Sequence, residues 1–299
     1  MRLMMFRYAF LIFLLCAFPA FAESPYSFEV LKFTSADGGR SYRVVTAIPA
    51  CAVPEGGYSV LYALDGNAAL ADFSEDVRTR IFREGAPVVV FIGYDTEERF
   101  DVDSRAFDYT PPSADGKPMP DALRSTRMNG GAAMYLELIE KKIKPAVEER
   151  IKINKSRQAL WGHSYGGLFV LYVLTSSPES FQAYAAADPA LWWGGGEMLK
   201  RTEEFSSSGA EFDGINLLIM KSGQESRNRQ FDDEKRKAYE ARVKAVSSVP
   251  ADAAKTAAYS FAAVKGITVR YREYPQLSHG PLFPVSFHTA LRLPLGQMD

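Results

Sequence analysis

Apolar and polar residues alternate along residues 28–34 and again along 42–48, with Asp37, Gly38 and Gly39 between the two runs. Strand side chains point alternately to the two faces, so this pattern predicts an antiparallel hairpin. The pattern then changes. Residues 58–64, ended by Asp65-Gly66-Asn67, and residues 87–92 are almost continuously apolar, as expected of parallel strands buried on both faces. Between them, residues 70–82 carry apolar positions at helical spacing, which completes a βαβ unit. From about 93 to 130 no period holds, and Asp, Arg, Ser, Pro and Gly predominate. A long irregular insert of this kind is uncommon in a compact domain and is usually functional.

Order returns at Gly131. Leu136, Ile139, Ile143 and Val147 lie on one face of a long amphipathic helix, which Pro145 is expected to kink or shorten. Next, a short apolar run at 159–161 passes through Gly162-His163-Ser164-Tyr165-Gly166-Gly167 into Leu168, Phe169, Leu171, Tyr172 and Leu174 at helical spacing. Further strands are expected at 183–187, 216–220 and 268–274, and helices at 232–246 and 253–264, whose many Lys and Glu residues read as a solvated face. A hairpin followed by alternating strands and helices predicts an α/β-hydrolase fold. Its central sheet should be mostly parallel, with the N-terminal hairpin antiparallel and helices on both faces. No repeat or second-domain boundary interrupts residues 23–299, so one domain is expected.

Residues 1–22 do not fit this architecture. Arg2 and Arg7 precede an apolar run at 8–18, and Ala20-Phe21-Ala22 before Glu23 has the form of a cleavage site. This is the layout of an export signal peptide. The apolar run is shorter than the ~20 residues of a comfortable membrane span, so a periplasmic or otherwise exported protein is expected, tethered to a membrane only if the leader is retained. Beyond the leader the single cysteine, Cys51, has no internal disulfide partner and reads as a small packing residue. Without the leader arginines, 33 basic residues face 36 acidic ones. Nucleic-acid binding, which needs clustered basic residues, is disfavoured.

The chemistry centres on Ser164. In a Gly-x-Ser-x-Gly elbow the serine occupies a strained strand-to-helix turn, and the flanking glycines let the neighbouring backbone pass. A serine hydroxyl needs a base, almost always histidine. Of His163, His279 and His288, only His279 falls just after the last strand, where this fold places its base. His163 adjoins the serine and leaves the turn in another direction, whereas His288 falls in a terminal helical run at 285–293. The orienting acid is less determined. Glu225 follows the strand at 216–220 and is the first choice; Asp188, Asp232 or Asp233, and a Ser-His dyad without an acid are the alternatives. An oxyanion needs two preorganised N–H donors, expected from Tyr165 and from Gly66 or Asn67. Neither a metal-ligand spacing nor a phosphate-binding loop is present, so no metal or cofactor is expected.

The elbow, the Leu64-Asp65-Gly66-Asn67-Ala68 turn, the Arg105-Ala106-Phe107-Asp108-Tyr109-Thr110-Pro111 loop and Ser278-His279-Gly280-Pro281 together resemble the esterase family of α/β-hydrolases. Within it the chain is most similar to the periplasmic trilactone esterases of enterobactin and salmochelin siderophores. The resemblance spans the mature chain. It implies that Ser164 is the nucleophile and His279 the base, that some relatives lack an orienting acid, and that Arg105 lies beside the substrate. A ferric catecholate is anionic and suits a guanidinium; equally, Arg105 could pair internally with Asp108. Trp192 and Trp193 could line the same pocket or simply pack. The expected activity is hydrolysis of siderophore trilactone esters. A general acyl-ester hydrolase or acyltransferase of the same fold is the alternative, and a non-catalytic siderophore-binding protein an alternative of another class.

Overall fold

The computed structural model describes residues 24–113, 116–223 and 233–298. The predicted hairpin is β1 (Tyr26–Thr34) and β2 (Ser41–Pro49), paired antiparallel from Tyr26↔Pro49 to Thr34↔Ser41. The βαβ unit follows as β3 (Tyr58–Ala63) and β4 (Val88–Tyr94). Its helical segment is two helices, α1 (Gly66–Asp72) and α2 (Glu75–Glu84). Ser74 divides them: its hydroxyl accepts from the Val77 N–H and Glu75 and Asp76 occupy the first turn of α2, a start signal that the continuous apolar period obscures.

The insert is more ordered than its composition implies. It carries α3 (Val102–Asp108), capped by Asp101, and a two-residue pair, β5 (Met119–Pro120) with β6 (Met128–Asn129). The helix after Gly131 runs as α4 (Ala132–Leu138), a π turn (Ile139–Ile143) and α5 (Lys144–Glu148). The Lys144 N–H reaches back to the Ile139 carbonyl. Pro145 follows at once, and its missing N–H and ring displace the normal ladder, so the helix widens instead of breaking.

The remaining strands and α-helices among the described residues are β7 (Ile153–His163), α6 (Tyr165–Ser176), β8 (Ala183–Ala187), α7 (Glu197–Ser206), β9 (Ile215–Ser222), α8 (Asp233–Val246), α9 (Ala253–Ala262), β10 (Ile267–Tyr274) and α10 (His279–Ala290). The main sheet has the order β1-β2-β4-β3-β7-β8-β9-β10. All pairings from β4 to β10 are parallel, and the hairpin joins antiparallel through β2 and β4. This is the expected α/β-hydrolase sheet.

The continuous apolar runs are explained by two cores. Tyr62, Leu160, Tyr184 and Leu217 pack on one face with α6 and α9, while Leu61, Ala63, Trp161, Ala185 and Leu218 pack on the other with α1, α2 and α10. On that second face Trp161 meets Phe283 edge-on at 5.1 Å and Phe287 at 5.3 Å. Such aromatic pairs add about 0.5–1.5 kcal/mol beyond burial, and they set the position of α10, whose first residue is His279. Cys51, expected to pack, is exposed: it lies in the loop after β2, where its carbonyl accepts from the Tyr58 hydroxyl.

Candidate active site

The site forms at the carboxyl ends of the central parallel strands, where this class of sheet binds ligands. Ser164 follows β7 at φ 61°, ψ −115°, a conformation costly for a residue with a side chain. Backbone bonds on both sides of the residue hold it there. Its N–H donates to the Ala187 carbonyl at 2.9 Å, and its carbonyl accepts from Leu168 at 2.9 Å and Ala190 at 3.0 Å. A Cβ at Gly162 would collide with the Gly166 carbonyl group, and one at Gly167 would lie 2.8 Å from the Ala187 oxygen. Gly166 itself would meet only ordinary contacts, at 3.7 Å. The steric demand of the elbow therefore falls on Gly162 and Gly167, not symmetrically on the two motif glycines.

The register of β7 on β8 pairs His163 with Ala187, which brings the next residues, Ser164 and Asp188, to the same end of the sheet. His279 arrives from α10, and its Nδ1 lies 2.6 Å from Asp188 Oδ2. A carboxylate only accepts, so Nδ1 carries the proton and the Nε2 lone pair is left for a substrate or serine proton. Asp188 is held on every side. Ser222 Oγ donates to Oδ2 at 2.5 Å, while Lys221 Nζ at 2.8 Å and the Ser222 N–H at 3.4 Å reach Oδ1. Burial works to raise its pKa, but the hydrogen bond and charge of His279 and the charge of Lys221 outweigh it and hold the carboxyl well below the usual range.

These contacts correct the expectation for the acid. Glu225 lies outside the described residues, and the carboxylate placed against His279 is that of Asp188. Asp232 lies outside as well, and Asp233 begins α8. The dyad alternative does not describe this geometry either, since Nδ1 has a carboxylate partner. An aspartate at the end of the strand beside the elbow, in Ala187-Asp188-Pro189, was the sequence signal available.

His163 is buried, and its ring is turned toward the backbone of α10. Its Nε2 lies 3.0 Å from the His279 carbonyl, and the two rings stand 4.5 Å apart. Burial first, and the charge of His279 second, press its pKa down to about 3. Between pH 6.5 and 5 an unfolded His163 takes up a proton that the folded one refuses, so stability is lost as pH falls, by up to about 1.4 kcal/mol per pH unit. His163→Gln has no group to titrate and is expected to lose that component, roughly 2 kcal/mol over this range. Urea unfolding of both proteins at pH 7 and pH 5 checks this, and equal acid sensitivity would contradict it.

Donor atoms of His163, Asp188 and His279 lie within 4.8 Å of one another, a convergence that the spacing along the chain conceals. The two bonds already described, Asp188 to His279 and His163 to the His279 carbonyl, hold these three residues together.

The turn after β3 faces the elbow. Asp65 caps α1 in the left-handed region, and a Cβ at Gly66 would lie 2.6 Å from Gly93 N. Gly66 and Asn67 open α1, where N–H groups have no partner within the helix. The Asn67 side chain is spent on the neighbouring loop. Its Nδ2 donates to the carbonyls of Tyr94, Thr96 and Glu98, and its Oδ1 accepts from the Tyr94 N–H. Only its backbone amide is therefore available for the expected oxyanion role.

Arg105, on α3, is paired internally, but not with Asp108. Its Nε and Nη2 grip Asp65 at 2.7 and 2.8 Å, and Nη2 also points at the His163 carbonyl at 3.4 Å. Asp108 instead pairs with Arg40 at 2.9 Å and accepts from the Tyr42 and Tyr94 hydroxyls. Arg105 therefore ties the insert to the turn after β3 and to the elbow. Trp193 is buried in the core, so its expected place in the pocket wall is corrected. Trp192 is half-buried with its ring 5.7 Å from that of Tyr165. The Tyr165 ring lies under Arg105 and Arg127 at 5.8 and 5.9 Å, and Arg127 pairs with buried Asp121 at 2.8 Å. His288, the third histidine, bonds the Asp72 carbonyl at 2.9 Å, a structural role.

A family model described as "Putative esterase" matches residues 35–251. The apo-salmochelin esterase of Escherichia coli O6:H1 is 35% identical over 267 residues, covering 89% of this chain and 78% of that protein. The ferri-bacillibactin esterase BesA of Bacillus subtilis is 33% identical over 276 residues, covering 89% of each. Among solved structures, the enterobactin hydrolase IroE in complex with DFP matches with a TM-score of 0.68 at 33% identity, over 91% of this chain and 96% of that one. The siderophore hydrolase EstA from Aspergillus nidulans matches with a TM-score of 0.73 at 26% identity, over 89% and 93%. The chain belongs to the esterase family of α/β-hydrolases and is a serine hydrolase acting on carboxylic ester bonds.

Proposed function

We propose that the protein is an exported esterase that hydrolyses the ester bonds of a catecholate siderophore trilactone of the enterobactin type, in its ferric form, to release iron. The observation that carries the mechanism is the 2.6 Å bond from His279 Nδ1 to Asp188 beside the Ser164 elbow. Ser164 Oγ attacks the ester carbonyl as its proton passes to His279 Nε2. The tetrahedral oxyanion is met by the amides of Tyr165 and of Gly66 or Asn67. The alkoxide leaves with the proton from His279, and water then cleaves the acyl-enzyme by the same steps in reverse, regenerating Ser164. Asp188 fixes the tautomer and stabilises the imidazolium that forms.

The substrate class is supported by the named activities of the relatives, an apo-salmochelin esterase and a ferri-bacillibactin esterase, of which the second carries the ferric form. Residues near the elbow are suited to it. Half-buried Trp192 offers aromatic surface for a catechol ring and packs on buried Tyr165, over which Arg127 and Arg105 stack. Because Asp65 offsets the charge of Arg105, its contribution to an anionic ligand is smaller than that of a free guanidinium. Export rests on the leader at 1–22, which lies outside the described residues.

Product analysis after incubation with ferric and iron-free enterobactin, run beside short-chain nitrophenyl esters, tests the reading. Release of dihydroxybenzoylserine units, faster from the ferric form, is the expected result. Rapid nitrophenyl ester cleavage with enterobactin untouched would identify a general acyl-ester hydrolase instead. A protein that binds ferric enterobactin without cleaving any ester, and leaves a fluorophosphonate unreacted, would be a binding protein. Recovery of a chain beginning at Glu23 from the periplasm tests the leader.

A further inference from the structure

His163, the residue between Gly162 and Ser164, has no part in the proton transfers of the proposed mechanism, yet it is buried against the residue that performs them. Its Nε2 lies 3.0 Å from the backbone carbonyl of His279. A carbonyl only accepts, so Nε2 must carry the proton and donate. The ring packs 4.5 Å from the His279 ring and 5.4 Å, edge-on, from Phe283 one turn along α10. Its own carbonyl is in reach of Arg105 Nη2 at 3.4 Å. A single residue thus touches the base, the helix that carries the base and the Arg105–Asp65 pair, and is peptide-bonded to Ser164.

We infer that His163 is a positioning residue for the reaction: its Nε2–H holds the backbone of His279 at a fixed distance from Ser164, so that Asp188 sets the direction of the base and His163 sets its place.

The need for such a tie follows from how His279 is held. It is the first residue of α10, preceded by Ser278, whose side chain makes no capping bond. Helix ends are where frayed conformations concentrate. The Asp188 bond fixes one ring nitrogen but leaves the ring free to swing about that contact. A second bond, to the main chain and from the elbow itself, removes that freedom. Because a displacement of about 1 Å in a reacting group can cost ~100-fold in rate, loss of the tie should appear in kcat rather than in KM. The burial that keeps His163 neutral also serves this role, since a charged imidazole beside His279 would oppose the imidazolium formed there during turnover.

The inference rests on Ser164 and His279 being the nucleophile and base, and the experiment separates the two. Wild type, His163→Phe and His163→Gln are titrated with a fluorophosphonate, and kcat and KM for a nitrophenyl ester are expressed per titrated site. Phe keeps the ring packing and removes the donor. Gln places an amide nitrogen the same number of bonds from Cβ as Nε2 and keeps the donor. The expected result is a kcat for His163→Phe lowered by about 10- to 100-fold at a KM within about twofold, with His163→Gln restored to within about threefold of wild type. A merely structural role would lower the titratable fraction and the melting temperature but not the kcat of the sites that remain.

Full kcat per site in His163→Phe, or equal loss in both variants, overturns the inference while leaving the nucleophile and base intact. A wild-type protein unlabelled at Ser164 would instead sink the reading beneath it. Should His163→Phe not fold, the 15N shifts of the wild-type imidazoles decide. His163 protonated at Nε2 with a bare Nδ1 supports the tie, and the opposite tautomer excludes it.

Discussion

Ser164→Ala is expected to lower kcat for any ester substrate by about 10⁵- to 10⁶-fold with little change in KM or melting temperature. That is roughly 7–8 kcal/mol of transition-state stabilisation. The loss is this large because removing the nucleophile closes the covalent route altogether. Folding should be unaffected, because the strained turn is held by backbone bonds to Ala187, Leu168 and Ala190 that do not involve the hydroxyl. The amides of Tyr165 and the turn after β3 remain, so a residual rate above the uncatalysed reaction is expected. His279→Ala should cost a similar factor, and the double variant little more than either single one, because the two groups act as a unit. Steady-state kinetics on a nitrophenyl ester checks all three. A Ser164→Ala protein with more than about a tenth of wild-type kcat would show that the elbow serine is not the nucleophile.

That serine was legible in the sequence because everything that marks it is local. A buried strand, a turn of small residues and an apolar helix lie within residues 158–174, and each leaves its own period or composition. The strands of the sheet were legible for the same reason, to within two residues at most ends outside β7. What was not legible depends on residues that are distant in the chain. Arg105 has Asp108 three residues away, within reach on a helix, yet its partner is Asp65, forty residues upstream. The choice is made by the β3 turn entering beside α3, which no local pattern records. Trp192 and Trp193 are adjacent and chemically alike, and only the fold puts one in the core and leaves the other beside Tyr165. The division of α1 from α2 was different. The Ser74 cap signal was present, and the apolar period across it masked it.

The identity of the acid is the same problem in its most consequential form. Asp188 and His279 are 91 residues apart, and what joins them is strand register: β8 lies beside β7, so its terminal residue is level with the elbow, while Glu225 follows the strand one further out. Asp188→Asn is therefore expected to lower kcat by about 10⁴-fold at nearly constant KM, as loss of the orienting carboxylate does in other serine hydrolases. The physical reason is the tautomer. An asparagine can present its NH₂ to His279 Nδ1, which then becomes an acceptor and moves the ring proton to Nε2, the atom that must be bare to take the serine proton. The same change leaves Lys221 and Ser222 without their anionic partner, but Lys221 is a third exposed and can be rehydrated, so the protein should still fold. Glu225→Gln, by contrast, should retain kcat within about twofold, because Nδ1 is already occupied. Kinetics on the two variants in parallel decides between the carboxylates: a collapse in Glu225→Gln with activity kept in Asp188→Asn would reverse the assignment, and activity kept in both would leave His279 working as half of a dyad.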